Sequence, residues 1–242
     1  MRRMRLFLAT GTALILLFSS GCSERLSRQT GLTDADLLAR GQKKAEQKKH
    51  KDAAEAFQTL IERFPTSPLA SRAQFALAES RMGNREDIEA EVAFDDFLRL
   101  YPADPKVPDA LFLKGKLLSG QLLPPGRDQG KTQEALKAYS QFLEKAPGSP
   151  RAAEAGKRIA ELRNRLALHE GAVINHFLSR KRFDSAEVRA LRALEAYPDV
   201  PATPDLMLLL SRALDRQGKK EEAAKVRSAL AAKYPGRGGG KR

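Results

Sequence analysis

The chain has no tryptophan and one cysteine, and aromatic residues make up only 6% of its 242 positions. The lone Cys22 excludes an intrachain disulfide and any zinc cluster built on several thiolates. With so few rings, the core has to be made of leucine and alanine. Long apolar runs are scarce too. The one at the N-terminus, Leu6 to Phe18, is thirteen residues long, against the roughly 20 that a bilayer-spanning helix needs. Arg2, Arg3 and Arg5 precede it and Ser19-Ser20-Gly21-Cys22 follows, the layout of a secretory leader. Lysine and arginine outnumber aspartate and glutamate 43 to 30, a formal charge of +13. Removing the leader with its three arginines leaves about +10. Such a surface favours acidic partners or anionic lipid. An exported chain rarely meets nucleic acid, so none is expected. Mixed-sign stretches such as Arg40 to Asp52 and Lys219 to Lys225 read as solvated helix faces.

What the chain does have is a recurring stop. Phe64-Pro65, Tyr101-Pro102, Ala146-Pro147, Tyr197-Pro198 and Tyr234-Pro235 each close an amphipathic run, and twelve residues before each proline stands Ala53, Ala90, Ala135, Ala186 or Ala223. Eight residues before the first three prolines stand Phe57, Phe94 and Tyr139. A small residue, a large one four later and a helix-breaking proline form the second half of a tetratricopeptide repeat. The small residue lets two helices approach, and the ring fills the space between them. In repeat two, Ala90, Phe94, Phe97, Leu98 and Tyr101 share one helix face. No stretch alternates as a strand does. The expected fold is an all-α solenoid of about five helix pairs, wound as a right-handed superhelix. The expected organisation is a leader over 1–21, a tether over 22–33, repeats over 34–235 and a basic tail over 236–242.

Successive prolines are 37, 45, 51 and 37 residues apart. Against a unit of 37, repeat three carries eight extra residues and repeat four fourteen. The eight include Pro124-Pro125-Gly126 and read as a loop between that repeat's helices. The fourteen fall in the proline-free span from Arg151 to Lys181, and fourteen residues are close to four helical turns. That span is expected to be one long helix or two nearly continuous ones, with Gly171 as the place for a kink. Carrying the register back to the first helices puts Leu38, Gln42 and Ala45 on the concave face, with Phe75, Glu79 and Met82 beside them. That surface suits an extended peptide with an apolar end. A slip of one position would make the same side chains core.

Catalytic patterns are missing. Gly126-Arg-Asp-Gln-Gly-Lys-Thr132 has three residues between its glycines where a phosphate loop has four, and it follows a helix. It reads as a connecting turn, with Thr132 capping the next helix. His50, His169 and His176 have no cysteine or carboxylate completing a metal set, and Asp95-Asp96 and Glu221-Glu222 point apart on their helices. No nucleophile sits in a recognisable motif. Neither an enzyme nor a cofactor is expected.

The residues before Cys22 are similar to a bacterial lipobox, with Ser19 where leucine is usual. Acylation of Cys22 is one reading, and simple cleavage near Gly21 leaving a free thiol is the other. Lipoproteins without aspartate after the cysteine go on to the outer membrane, and here Ser23 follows. Leu162-Arg-Asn-Arg165-Leu166-Ala167, Glu170, Val173, Arg189 and Tyr197-Pro198-Asp199 together resemble the BamD family of outer-membrane assembly lipoproteins. The resemblance implies a non-catalytic scaffold at the periplasmic face of the outer membrane, held there by lipid. It implies that C-terminal repeats dock on the POTRA domain of BamA beside other assembly subunits. N-terminal repeats would receive unfolded β-barrel precursors. Arg189 matches the family arginine that faces BamA, and Arg192 could take its place by register. The family's tyrosines are missing over Leu168-His-Glu-Gly-Ala172, and the repeat-three loop is shorter, which bears on accessory-subunit contacts. The alternative is a different periplasmic repeat lipoprotein that coordinates cell-envelope or peptidoglycan proteins.

Overall fold

Residues 31–236 are described by the computed structural model; Cys22, the leader and the rest of the basic tail lie outside them. Among these residues ten α-helices follow one another without a strand. They are α1 (Asp34–Glu46), α2 (His50–Arg63), α3 (Ala70–Gly83), α4 (Asp87–Leu100), α5 (Val107–Ser119), α6 (Gly130–Lys145), α7 (Ala152–Ser179), α8 (Phe183–Ala196), α9 (Thr203–Arg216) and α10 (Lys220–Lys233). Each helix packs on its chain neighbours, giving five stacked pairs.

Proline sets the end of every pair. Phe64, Tyr101, Ala146, Tyr197 and Tyr234 all leave their helices with φ between −141° and −127° and ψ between 56° and 70°. The following ring forbids helical backbone at each of them. Each still donates its N–H to the carbonyl four residues back, so the last turn stays closed. Inside four of the pairs the turn is made differently. Lys48, Arg85, Lys181 and Gly218 adopt positive φ, between 57° and 83°. A left-handed residue reverses the chain within a few positions, at about 1 kcal/mol for each non-glycine.

The spacing inside a pair is set by one contact. Gly41 of α1 faces Phe57 of α2 so closely that a Cβ would stand 2.4 Å from the ring, and a Cβ on Gly115 would stand 3.0 Å from Tyr139. Ala78 and Phe94, both fully buried, hold the matching positions of repeat two. In repeat four the sizes invert: Ile174 on α7 and Ala190 on α8 are both fully buried in one cluster. Summed volume is kept while the bulky side chain changes helix.

The buried residues form two clusters, one from Leu37 to Leu162 and one from Ala167 to Ala223. Both run onto α7, whose 28 residues pass through Gly171 without a break. The two insertions meet each other. Arg165 of α7 donates to the Leu123 carbonyl of the repeat-three loop, and His169 Nδ1 lies 2.7 Å from the Pro125 carbonyl. Thr132 is not the cap of α6. The helix begins at Gly130, so Thr132 sits buried in its first turn and donates to Gln129 Oε1 at 2.8 Å. Gln129 takes the cap position, and its amide nitrogen donates to the Pro124, Arg127 and Asp128 carbonyls, closing the loop.

Gly41→Ala is expected to destabilise the fold by about 1–3 kcal/mol, because Phe57 is 1% exposed and has nowhere to move. Gly156→Ala, in the interior of α7 with open space around its Cβ, should stabilise by about 0.5–1 kcal/mol. Thermal unfolding of the pair checks this, and a loss of similar size from both changes would remove the close approach as the cause.

Candidate functional site

The inner helices α1, α3 and α5, together with the start of α7, enclose a concave cavity of about 900 Å³. Gln42, Ala45, Phe75 and Glu79 line it, as the repeat register implies. Leu38 does not. It is 5% exposed and packs in the core, because the connection after α2 returns to this end of α1. There Ser67 Oγ donates to Asp34 at 2.5 Å, and Leu69 packs on the same cluster, closing that end of the face. Met82 also turns inward, half-buried against the core near the end of α3, and does not line the cavity. Phe75 belongs to both environments. It is 8% exposed and stacks edge-on against Phe97 at 5.4 Å, with part of its ring forming the cavity wall.

Cations ring this apolar floor. Lys106 Nζ lies 5.7 Å above the centre of the Phe75 ring, and Arg151 stands 5.1 Å above Phe112. Asp109 ties the two together, accepting from Lys106 at 2.9 Å and from Arg151 at 3.2 Å. Both cations occupy N-cap positions, Lys106 of α5 and Arg151 of α7. A positive charge there opposes the helix dipole, so local stability does not account for it. The Gln42 amide, with its oxygen turned toward Arg72, accepts from that guanidinium at 2.7 and 3.2 Å. The repeat pattern did not single out Arg72, Lys106, Asp109 or Arg151. A cation immediately before a helix was the signal present for two of them.

Glu79 is one of four carboxylates in this wall, with Glu46, Asp104 and Asp109, and it makes no hydrogen bond among the described residues. Glu79 is exposed at the cavity, but the protein around it displaces part of its water. That loss of water pushes its carboxyl above the ordinary 4.5, with Asp109 adding to the effect and Lys106 and Arg151 opposing it. Lys106 is raised, chiefly by its hydrogen bond to Asp109. The groove can therefore offer an apolar floor, guanidinium and ammonium donors, and carboxylates of which Glu79 titrates above its ordinary range.

On the other half of the molecule, Arg189 of α8 is already engaged. Its guanidinium grips Glu170 of α7 through both nitrogens, Nη2 to Oε1 at 2.9 Å and Nε to Oε2. Arg192 is exposed on the same helix and has no ion pair among the described residues. Exposed Val188 and Leu191 flank it. No group of histidines, cysteines and carboxylates among the described residues could hold a metal ion, and no described helix is long and apolar enough to cross a membrane.

The family model described as YfiO, outer membrane lipoprotein, matches residues 31–230, the whole run of repeats. The chain belongs to this family. Curated relatives carry the name outer membrane protein assembly factor BamD. The protein from Neisseria meningitidis serogroup A is 25% identical over 97% of this chain and 92% of its own length. That of Xylella fastidiosa strain Temecula1 is 29% identical over 74% and 65%, and that of Haemophilus influenzae 22% over 90% and 86%. Among solved structures, a tetratricopeptide repeat protein from Parabacteroides merdae covers 82% of this chain and 79% of its own at 13% identity and a TM-score of 0.42, a likeness that carries no weight of its own. The family and the ten helices agree with the repeat pattern in the sequence.

The pH dependence of Glu79 has a definite sign. Its folded pKa lies above its unfolded one, so the native state holds the extra proton, and stability falls as pH rises from 4.5 through the raised folded value. Glu79→Gln is expected to raise the melting temperature slightly near pH 7 and leave it unchanged near pH 4. Melting curves at the two pH values check this, and an equal shift at both would contradict the partial loss of water around the carboxylate.

Proposed function

We propose that this protein is a non-catalytic scaffold of outer-membrane β-barrel assembly, held at the periplasmic face by lipid on Cys22. Its concave groove receives an extended segment of an unfolded barrel precursor, and its C-terminal repeats dock on the POTRA domain of a BamA-type barrel protein. The observation that carries the reading is the cavity itself in a chain of this family. Phe75, backed by the buried Phe97, offers an apolar floor, and Lys106, Arg151 and Arg72 sit around it as donors for a carboxylate or backbone carbonyls. The curated relatives' name supports assembly as the setting in which such a segment is presented. Lipid anchoring would raise the effective concentration of this groove beside the barrel, and a lipoprotein's several acyl chains hold where a single one does so only marginally.

The docking face is α8. Glu170 already satisfies Arg189, whose role there is to fix α8 on α7, while the exposed Arg192 with Val188 and Leu191 beside it is available to a partner. The rival scaffold of cell-envelope or peptidoglycan proteins would use the same fold with different partners. A pull-down from detergent-solubilised native membranes tests the choice. Wild type should recover a large barrel protein carrying POTRA domains, and Arg192→Glu should reduce its yield about tenfold or more, as reversing an interfacial charge does. Recovery of wall enzymes without a barrel protein would contradict the assembly reading.

A further inference from the structure

A second concave region lies between α7 and α9, away from the groove of repeats one to three. Two adjoining hollows share Asn175 and Arg212. The first, of about 420 Å³, is lined largely by apolar side chains, among them Leu168, Leu206, Leu208 and Leu209. Gly171 and Ala172 keep it open: a Cβ on Gly171 would stand 3.6 Å from Leu209 and 3.8 Å from Leu206. The second, of about 590 Å³, is lined by Lys181, Arg212 and Arg216 with Asn175, Ser179 and Phe183, and has no carboxylate in its wall. Arg212 and Arg216 are one turn apart on α9 and project from one face. Neither they nor Lys181 form an ion pair among the described residues.

The surrounding carboxylates are committed or distant. Asp215 pairs with Arg227 of α10, and Glu187 accepts from Lys219 and Gln217. Asp184 lines a neighbouring hollow that shares Lys181 and Phe183 with the second one, and does not line the second hollow itself. Asp205 lines only the apolar hollow, seven residues from Arg212 on α9. Three cations without an ion pair among the described residues therefore line one hollow, and an apolar trough continues from it.

We infer that this trough binds an anionic membrane lipid, its phosphate held by Lys181, Arg212 and Arg216 and the start of an acyl chain lying along Leu208 and Leu209. Guanidinium groups suit phosphate oxygens, donating two parallel hydrogen bonds each. The adjoining apolar wall distinguishes a lipid from free phosphate, which would leave that wall wet. The site is separate from the peptide groove and does not depend on the assembly role.

The test uses the full chain with Cys22→Ser, so that no acyl anchor contributes. Binding is measured to vesicles of phosphatidylcholine alone and to equimolar phosphatidylcholine and phosphatidylglycerol. Binding to the second and not the first is expected, and Arg212→Ser with Arg216→Ser should weaken it about tenfold or more. Lys51→Ser with Lys137→Ser, exposed lysines elsewhere that remove the same charge, should weaken it less than about threefold. Equal losses from the two pairs would mean diffuse surface attraction and overturn the site, as would no binding to either vesicle. Leu208→Asn should weaken vesicle binding and leave displacement by inorganic phosphate unchanged. No effect of Leu208→Asn, with phosphate displacing the vesicles fully, would reduce the site to one for phosphate alone and overturn the lipid. Circular dichroism of each variant keeps unfolding apart from lost binding.

Discussion

Two helices can lie against each other only as closely as their facing side chains allow, and in repeats one and three a missing side chain sets that distance. Gly41 leaves no room for even a methyl group beside Phe57, and a methyl on Gly115 would press on Tyr139. Pair spacing fixes how each pair stacks on the next, and stacking fixes the curvature of the inner helices. The groove of repeats one to three follows from that curvature. Its floor is the exposed edge of Phe75, which packs edge-on against the fully buried Phe97, so core and site share rings. A change that loosens the pairs should therefore reach the groove without touching its polar wall.

The wall is electrostatically uneven. Lys106 and Arg151 are held at helix starts against the dipole, steadied by Asp109 and by the faces of Phe75 and Phe112. Glu79 is kept partly dry among them. Exposed ion pairs contribute little to stability, about 0–1 kcal/mol each. The arrangement reads better as a surface prepared for a ligand's carboxylate and carbonyls than as a device for holding the fold. At the other end, the Arg189–Glu170 clasp joins α7 to α8 and leaves Arg192 as the available cation.

The sequence shows the repeats through backbone constraints that depend on single residues. Proline dictates the five helix ends, and the small-then-large spacing dictates the packing. The repeat-three loop is legible from the proline intervals together with Pro124-Pro125-Gly126, and the long α7 from the intervals and the proline-free span, which left one helix or two nearly continuous ones open. The reversal inside four pairs is not legible, because Lys48, Arg85 and Lys181 take a left-handed conformation that a glycine would advertise, and only Gly218 does. Within the groove, Gln42, Ala45, Phe75 and Glu79 fall where the register puts them, while Leu38 and Met82 lie near helix ends where connections and neighbouring core cover the face. Register describes a helix in isolation and cannot see what crosses over its ends. It also cannot see Arg151, which reaches the cavity from the start of repeat four.

The central claim is that the groove, and not the outer surface, receives an unfolded segment. A photoreactive amino acid placed at Ala76, which lines the cavity, or at Lys51, exposed on the outer helix α2, tests it in native membranes. The account predicts cross-links to unfolded barrel precursors from position 76 and none from position 51. Precursor cross-links from position 51 alone would contradict it.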